Sequence, residues 1–302
     1  MQNEWRDNSR HFFIARSAEI AIFADMMKKS LFLFAAVVGF CASVWAQNAD
    51  SVAFANASWQ VEKLPRGARA LSARIEMFGS HQTVTVVRYR TGAFYTRLIL
   101  NRELTPTSAT ARKTSAVAAI NAGYWDMGHT ERPSAYVRID GHDCAHTSAA
   151  ETFRVNGIVV FGKKKMEVFE CDTTRYGLYA SQYDNILASG PVLIDDGRAF
   201  DYSDRDDSFF GRHPRSAIGR TARGETVLIT VDGRREGEAD GMTIDELIDL
   251  CRWLGLEDAI NLDGGGSTTL CAGDRVINYP CGNGRFDHEG ERAVSSSIVV
   301  LR

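Results

Sequence analysis

From Ala70 onward, short runs rich in Val, Ile, Tyr and Thr recur between turn signals, and they predict a chain built largely of strands. Residues 83–89 alternate, with Thr83, Thr85 and Val87 on one side and Val84, Val86 and Arg88 on the other. Residues 94–100 follow after Thr91-Gly92-Ala93, and the two runs together predict a hairpin. Residues 155–161, 192–194, 227–231 and 298–301 are predicted as further strands.

Two segments follow a helical period instead. Residues 108–115 precede the apolar run 116–120, and residues 243–254 place Ile244, Leu247, Ile248, Cys251 and Leu254 on one face. The second helix has marked ends. Thr243 and Glu246 have the spacing of a capping box, and Gly255 follows as a C-terminal cap. Strand 227–231, this helix and strand 259–262 predict a β-α-β crossover. Both strands end in an acid followed by glycine, Asp232-Gly233 and Asp263-Gly264. If the strands are parallel, both acids lie at one sheet edge, where open sheets bind ligands. The expected fold class is α+β with α/β-like character. It is a single compact domain on a mixed β-sheet with packed helices and an antiparallel hairpin region before residue 105.

Composition changes this picture little. The 302 residues are 44% hydrophobic, 24% charged and 10% aromatic, which is ample for a core. A net charge of −3 with both signs scattered leaves no electrostatic footprint for nucleic acid. The N-terminus reads as a secretory signal: Lys28 and Lys29, an apolar stretch over 31–38, then Val44-Trp45-Ala46 as a cleavage site. Residues 1–46 are thus an upstream segment and signal peptide, with translation starting at Met26 or Met27, and residues 47–302 are the exported domain. The apolar stretch is too short to favour a membrane span, so no stable membrane insertion is expected after cleavage. Phe40 before Cys41 disfavours a lipoprotein anchor; the expected location is periplasmic or secreted. Of the five remaining cysteines, Cys251 is expected as a buried thiol, and Cys144–Cys171 and Cys271–Cys281 as disulfides of an exported protein. Connectivity is not fixed by sequence.

The candidate chemistry concentrates at Asn261-Leu262-Asp263-Gly264-Gly265-Gly266-Ser267-Thr268-Thr269. Consecutive glycines let a ligand approach the backbone and leave N–H groups free to face an anion. The spacing fits neither the dinucleotide nor the P-loop pattern, nor the nucleophile elbow of serine hydrolases. Other polar residues stand at similar strand ends: Asn121 and Asp126 in the segment 119–126, Ser189-Gly190 before the strand at 192, Arg215 before a small apolar run, and Arg234 after Asp232-Gly233. Taken singly, each is more often an ordinary turn, cap or surface charge.

In order and spacing, the segments 119–126, 189–193, 215–219, 229–234, 241–247 and 259–268 resemble the phosphodiester glycosidase family. The likeness spans residues 120–302 and is loose over 47–115. It implies an exported hydrolase that cleaves a sugar from a glycosyl-1-phosphodiester, with a glycosyl phosphodiester or exopolysaccharide-type substrate and no required cofactor. Asp263 and Asp232 then supply carboxylates for an oxocarbenium-like centre. Arg215, Arg234 and the backbone of Gly264, Gly265, Gly266 and Ser267 hold the phosphate. Asn121, Asn261 and Thr268 hold sugar hydroxyls, and Asp126, Ser189 and Gly190 complete the substrate-binding set. Which carboxylate acts as nucleophile or base stays open. Two other readings remain. A metal-dependent phosphodiesterase would ligate Ca²⁺ or Mg²⁺ through Asp232, Asp263 and Asp126. A non-catalytic module for envelope polysaccharide would stack sugars on Tyr124, Trp125 and Tyr136.

Overall fold

The computed structural model describes residues 49–302 apart from Lys163, so the signal peptide expected over 28–46 lies outside the described residues. Residues Ala53–Arg302 form one compact unit, mostly sheet with a few helices. Its largest sheet has eight strands in the order Gln60–Lys63, Arg69–Met77, Ser80–Arg90, Glu225–Val231, Arg215–Thr221, Leu256–Asn261, Val192–Asp195 and Arg198–Ala199. One five-stranded sheet runs His142–Ala145, Val137–Ile139, Asn185–Ser189, Gly157–Gly162 and Lys165–Glu170. The other runs Arg275–Val276, Leu270–Ala272, Ala118–Asn121, Ala293–Leu301 and Tyr95–Pro106.

The eight-stranded sheet is buried on both faces, which explains why residues 83–89 show no solvent side. Val87, Ile218, Leu228 and Ile260 on one face pack with Ile120 and Ile298 of one small sheet and with Val159 and Leu187 of the other. Val84, Val86, Ala217, Ile229 and Ala259 on the opposite face receive Ile244, Leu247, Ile248 and Cys251 of the helix Ile244–Trp253 and Leu254 at its C-cap. That helix ends as its sequence predicts. The Thr243 hydroxyl accepts from the Glu246 N–H at 3.2 Å while the Glu246 carboxylate accepts from the Thr243 N–H at 2.9 Å. Gly255 takes φ +78 just beyond the last turn. The first expected helix is Thr107–Thr114.

Three expectations are corrected. Residues 83–89 and 94–100 do not form a hairpin. Ser80–Arg90 pairs with Arg69–Met77 through the two-residue turn Phe78-Gly79, whose φ angles are +58 and +64, whereas Tyr95–Pro106 pairs with Ala293–Leu301 in another sheet. The Thr91 N–H donates to the Gly224 carbonyl and Phe94 is buried against Tyr89, so the chain is drawn away from the first sheet. The strands of the crossover are parallel but not adjacent. Arg215–Thr221 lies between them and pairs antiparallel with both. Neither expected disulfide forms: Cys144, Cys171, Cys251, Cys271 and Cys281 are all free. Cys271 is buried with Ala111, Ala119 and Val299, while the Cys281 thiol faces the Gly265 carbonyl. Cys171 sits in the core and Cys144 is exposed. Among the described residues no helix is long and apolar enough to cross a membrane.

Candidate active site

Strand order and direction bring the acids together at one end of the large sheet. Glu225–Val231 and Leu256–Asn261 run the same way, so Asp232 and Asp263 both lie just beyond their C-terminal ends. The strand between them runs the other way and starts there with Arg215, which pairs with Val231.

Asp263 begins the glycine turn. A β-carbon on Gly264 would stand 2.6 Å from the Pro214 carbonyl oxygen, so only glycine fits there. Gly265 takes φ +58, and its N–H donates to the same carbonyl at 2.8 Å. Residues Gly265–Ser267 form a 3₁₀ turn, with the Ser267 N–H on the Gly264 carbonyl and the Thr268 N–H on the Gly265 carbonyl. The expected row of anion-facing N–H groups is therefore interrupted. Among the described residues, only the N–H groups of Gly264 and Gly266 along this run lack a backbone partner.

Beneath the turn lies a buried polar frame. Asn121 accepts from the Ser216 hydroxyl at 2.7 Å and the Thr269 N–H at 3.0 Å, and donates to the Asp263 carbonyl at 2.5 Å. Asn261 donates to the carbonyls of Gly190 and Leu262 and to the Tyr124 hydroxyl, at 2.7–2.9 Å. The Ser189 hydroxyl and the Gly190 N–H both donate to the Asn261 carbonyl. These residues hold the turn in place; apart from Asn261 Oδ1, which is buried without a partner among the described residues, their side-chain polar groups have protein partners. Thr268 is buried in the same frame, with its hydroxyl unpartnered among the described residues. Asp126 caps its own loop by accepting from the Thr130 N–H and hydroxyl.

Arg215 is only 2% exposed. Its Nε donates to the Met242 carbonyl at 2.9 Å and its Nη2 to the carbonyls of Phe209 and Gly211. Burial pushes its guanidinium down to about 10. Arg215 thus ties two loops beside the turn. Arg234 is exposed, and its Nη2 lies 2.9 Å from where a Gly265 β-carbon would stand. Arg292 lies in the same way over Gly266. The two glycines therefore leave room for two guanidinium groups as well as for a ligand.

The two carboxylates differ sharply. Asp263 is partly exposed, and burial pushes its carboxyl up to about 6 against the pull of the Ser267 hydroxyl, Arg154 and Arg292. Among the described residues no cation comes within 4.0 Å of it. Asp232 is 1% exposed; its Oδ1 accepts from Asn278 Nδ2 at 2.8 Å and the Tyr279 N–H at 3.0 Å. Its Oδ2 has no partner among the described residues. Burial pushes Asp232 up to about 7, with Asn278, the Tyr279 N–H and Arg74 pulling the other way. Asn278 also donates to the Thr268 carbonyl, so it links the Asp232 carboxyl to the far side of the glycine turn. Asp126, Asp232 and Asp263 do not converge as ligands. Among the described residues no group of three His, Cys, Asp or Glu side chains is placed to hold a metal.

Sequence reading missed Arg154, Arg292, Glu151 and Asn278. Glu151 ends the short 3₁₀ helix Ala149–Glu151 and the others stand on loops, all outside any recognisable spacing, and only the fold brings them to the site.

The sequence profile of the phosphodiester glycosidase family matches residues 114–301. The chain belongs to this family. It is 29% identical to bovine (Bos taurus) N-acetylglucosamine-1-phosphodiester alpha-N-acetylglucosaminidase over 101 residues, which is 32% of this chain and 19% of the bovine protein. It is 40% identical over 89 residues to the SPbeta prophage-derived protein YomE of Bacillus subtilis (strain 168), covering 30% of this chain and 13% of that one. These matches thus span at most about a fifth of either relative's length. The fold is similar to the catalytic domain of the zebrafish N-acetylglucosamine-1-phosphodiester alpha-N-acetylglucosaminidase, with a TM-score of 0.62 at 18% identity over 82% of this chain and 88% of that one. A hypothetical protein from Synechocystis has a TM-score of 0.57 at 17% identity, covering 82% of this chain and 68% of that chain.

Proposed function

We propose that this protein is an exported hydrolase that releases a sugar from a glycosyl-1-phosphodiester. The observation that carries the reading is the pairing of Asp263 with nearby guanidinium groups that do not neutralise it. The carboxylate remains available for a developing positive charge at the anomeric carbon. Arg234 and Arg292, over the turn, supply positive charge for the phosphate, and the free N–H groups of Gly264 and Gly266 can add hydrogen bonds. The bovine and zebrafish relatives are named for the same class of bond, which supports the reading.

The reaction is hydrolysis at carbon. The bond between the anomeric carbon and the phosphate oxygen breaks, and its electron pair leaves with the phosphate monoester. Water forms the new bond to carbon and loses a proton, leaving a free sugar. A phosphate monoester is a good leaving group, so protonation of that oxygen contributes less than in ordinary glycoside cleavage. No cofactor enters these steps, and activity is expected to survive chelator.

The test is a panel of sugar-1-phosphodiesters and exopolysaccharide-type substrates hydrolysed in ¹⁸O-water. The expected result is free sugar carrying the label. Label in the phosphate would mean P–O cleavage and overturn the reading in favour of a phosphodiesterase.

A further inference from the structure

Arg154 precedes the strand Gly157–Gly162. It is held from two sides. Its Nε donates to Glu151 Oε2 at 2.6 Å, and its guanidinium lies 3.9 Å from the centre of the Tyr124 ring. Phe209 and Phe153 flank it at 5.1 and 5.3 Å. Glu151 is itself buried and fixed by the Ser134 hydroxyl at 2.7 Å. Tyr124 is anchored by donating to the Gly190 carbonyl and accepting from Asn261, the same frame that supports the glycine turn.

This anchoring leaves one end of the guanidinium unused. Among the described residues, neither terminal nitrogen of Arg154 has a hydrogen-bond partner, yet the side chain is only 23% exposed. The Asp263 carboxylate is near enough to feel Arg154's charge, but no ion pair within 4.0 Å joins them. An immobilised guanidinium with two free N–H-bearing nitrogens beside an unpaired carboxylate is arranged for a third, anionic group with paired oxygens. Most surface arginines lose rotamer freedom on binding. Here the aromatic ring and Glu151 have removed that freedom already.

We infer that Arg154 binds the two non-bridging oxygens of the substrate phosphodiester and sets its orientation relative to Asp263, with Glu151 as its positioning residue. This inference rests on the function proposed above. It gives the site a selection rule: an aglycone joined through a phosphate with two unesterified oxygens is favoured over a neutral aglycone, because the fork engages both oxygens in one plane.

The experiment uses the whole exported protein, with inorganic phosphate and methyl phosphate as calorimetric probes and a sugar-1-phosphodiester for kinetics. Arg154→Lys keeps the charge and removes the fork, and Arg154→Gln removes both. Both are expected to weaken phosphate binding about tenfold or more and to raise KM by a similar factor. Glu151→Gln is expected to raise KM with kcat largely retained and the melting temperature little changed, which a purely structural role would not produce. Phosphate affinity within twofold of wild type in both Arg154 variants, while wild type still releases sugar, would overturn this inference and leave the proposed function standing. If wild type neither binds phosphate nor releases sugar from any substrate tested, the proposed function fails and this inference with it.

Discussion

Two acid-glycine turns sit at the same end of one sheet, one strand apart, and they differ in almost every physical respect. At Asp263 the carboxylate is partly exposed, unpaired and ringed by arginines on three loops. At Asp232 it is sealed, and one oxygen is committed to Asn278 and the Tyr279 N–H. Sequence context alone makes the two look equivalent: strand, acid, glycine. What separates them is the surroundings delivered by distant segments. A motif locates a candidate carboxylate, while desolvation and its neighbours decide whether that carboxylate can meet a substrate.

The sharpest way to break this contrast is to neutralise each acid in turn. Asp263→Asn is expected to lower kcat at least about a hundredfold, the scale of a lost electrostatic contribution at the reacting centre. Asp232→Asn keeps an oxygen for Asn278 and Tyr279 and is expected to lower kcat by about tenfold or less. Equal losses measured by sugar release would mean that both acids face the substrate. Next in size is Gly264→Ala. Its new β-carbon would meet a backbone oxygen at 2.6 Å, which no side-chain motion relieves. Overpacking of this kind costs about 1–3 kcal/mol, read as a lower melting temperature together with lost turnover.

A pH series sharpens the contrast further. Asp232 holds its proton more tightly folded than unfolded, since its pKa rises from 3.8 to about 7. Its contribution to stability is therefore greatest below pH 4 and declines as pH rises through about 7. Wild type should lose melting temperature over that window relative to Asp232→Asn, with the largest gap above pH 7 and convergence toward pH 4. Parallel curves would show that Asp232 ionises freely. The smallest effect belongs to a residue whose side chain caps a helix and touches neither acid. Thr243→Ala removes one arm of the capping box and should cost about 1 kcal/mol of stability while leaving KM unchanged.

Much of this arrangement was legible beforehand. The capped helix is where its apolar face and Thr243-Glu246 pair predict, because both signals are local. Asp232 and Asp263 share a sheet end because a right-sized helix returns the chain in the same direction, even though the inserted strand Arg215–Thr221 was not foreseen between them. Non-local partnership was not legible. Residues 80–90 and 95–106 follow one another in sequence, yet the pairing partner of the second lies nearly two hundred residues on. Arg154 and Arg292 carry no periodic or motif signal, since a loop arginine reads the same whether it ends in solvent or over a glycine. The disulfide expectation failed for a related reason: compartment suggests that thiols pair, but only geometry brings two sulfurs within reach.

The strand Ala293–Leu301 lies between Ala118–Asn121 and Tyr95–Pro106 in its sheet. Its position has a temporal meaning. While the chain is being made, two earlier strands must wait with open edges until this segment emerges, and Arg292 arrives immediately before it. Closing that gap joins segments of high sequence separation, which is a slow step in folding. The same event that seals the sheet also brings a guanidinium to the glycine turn, so the cationic rim of the site and the core beneath this sheet mature together rather than in succession.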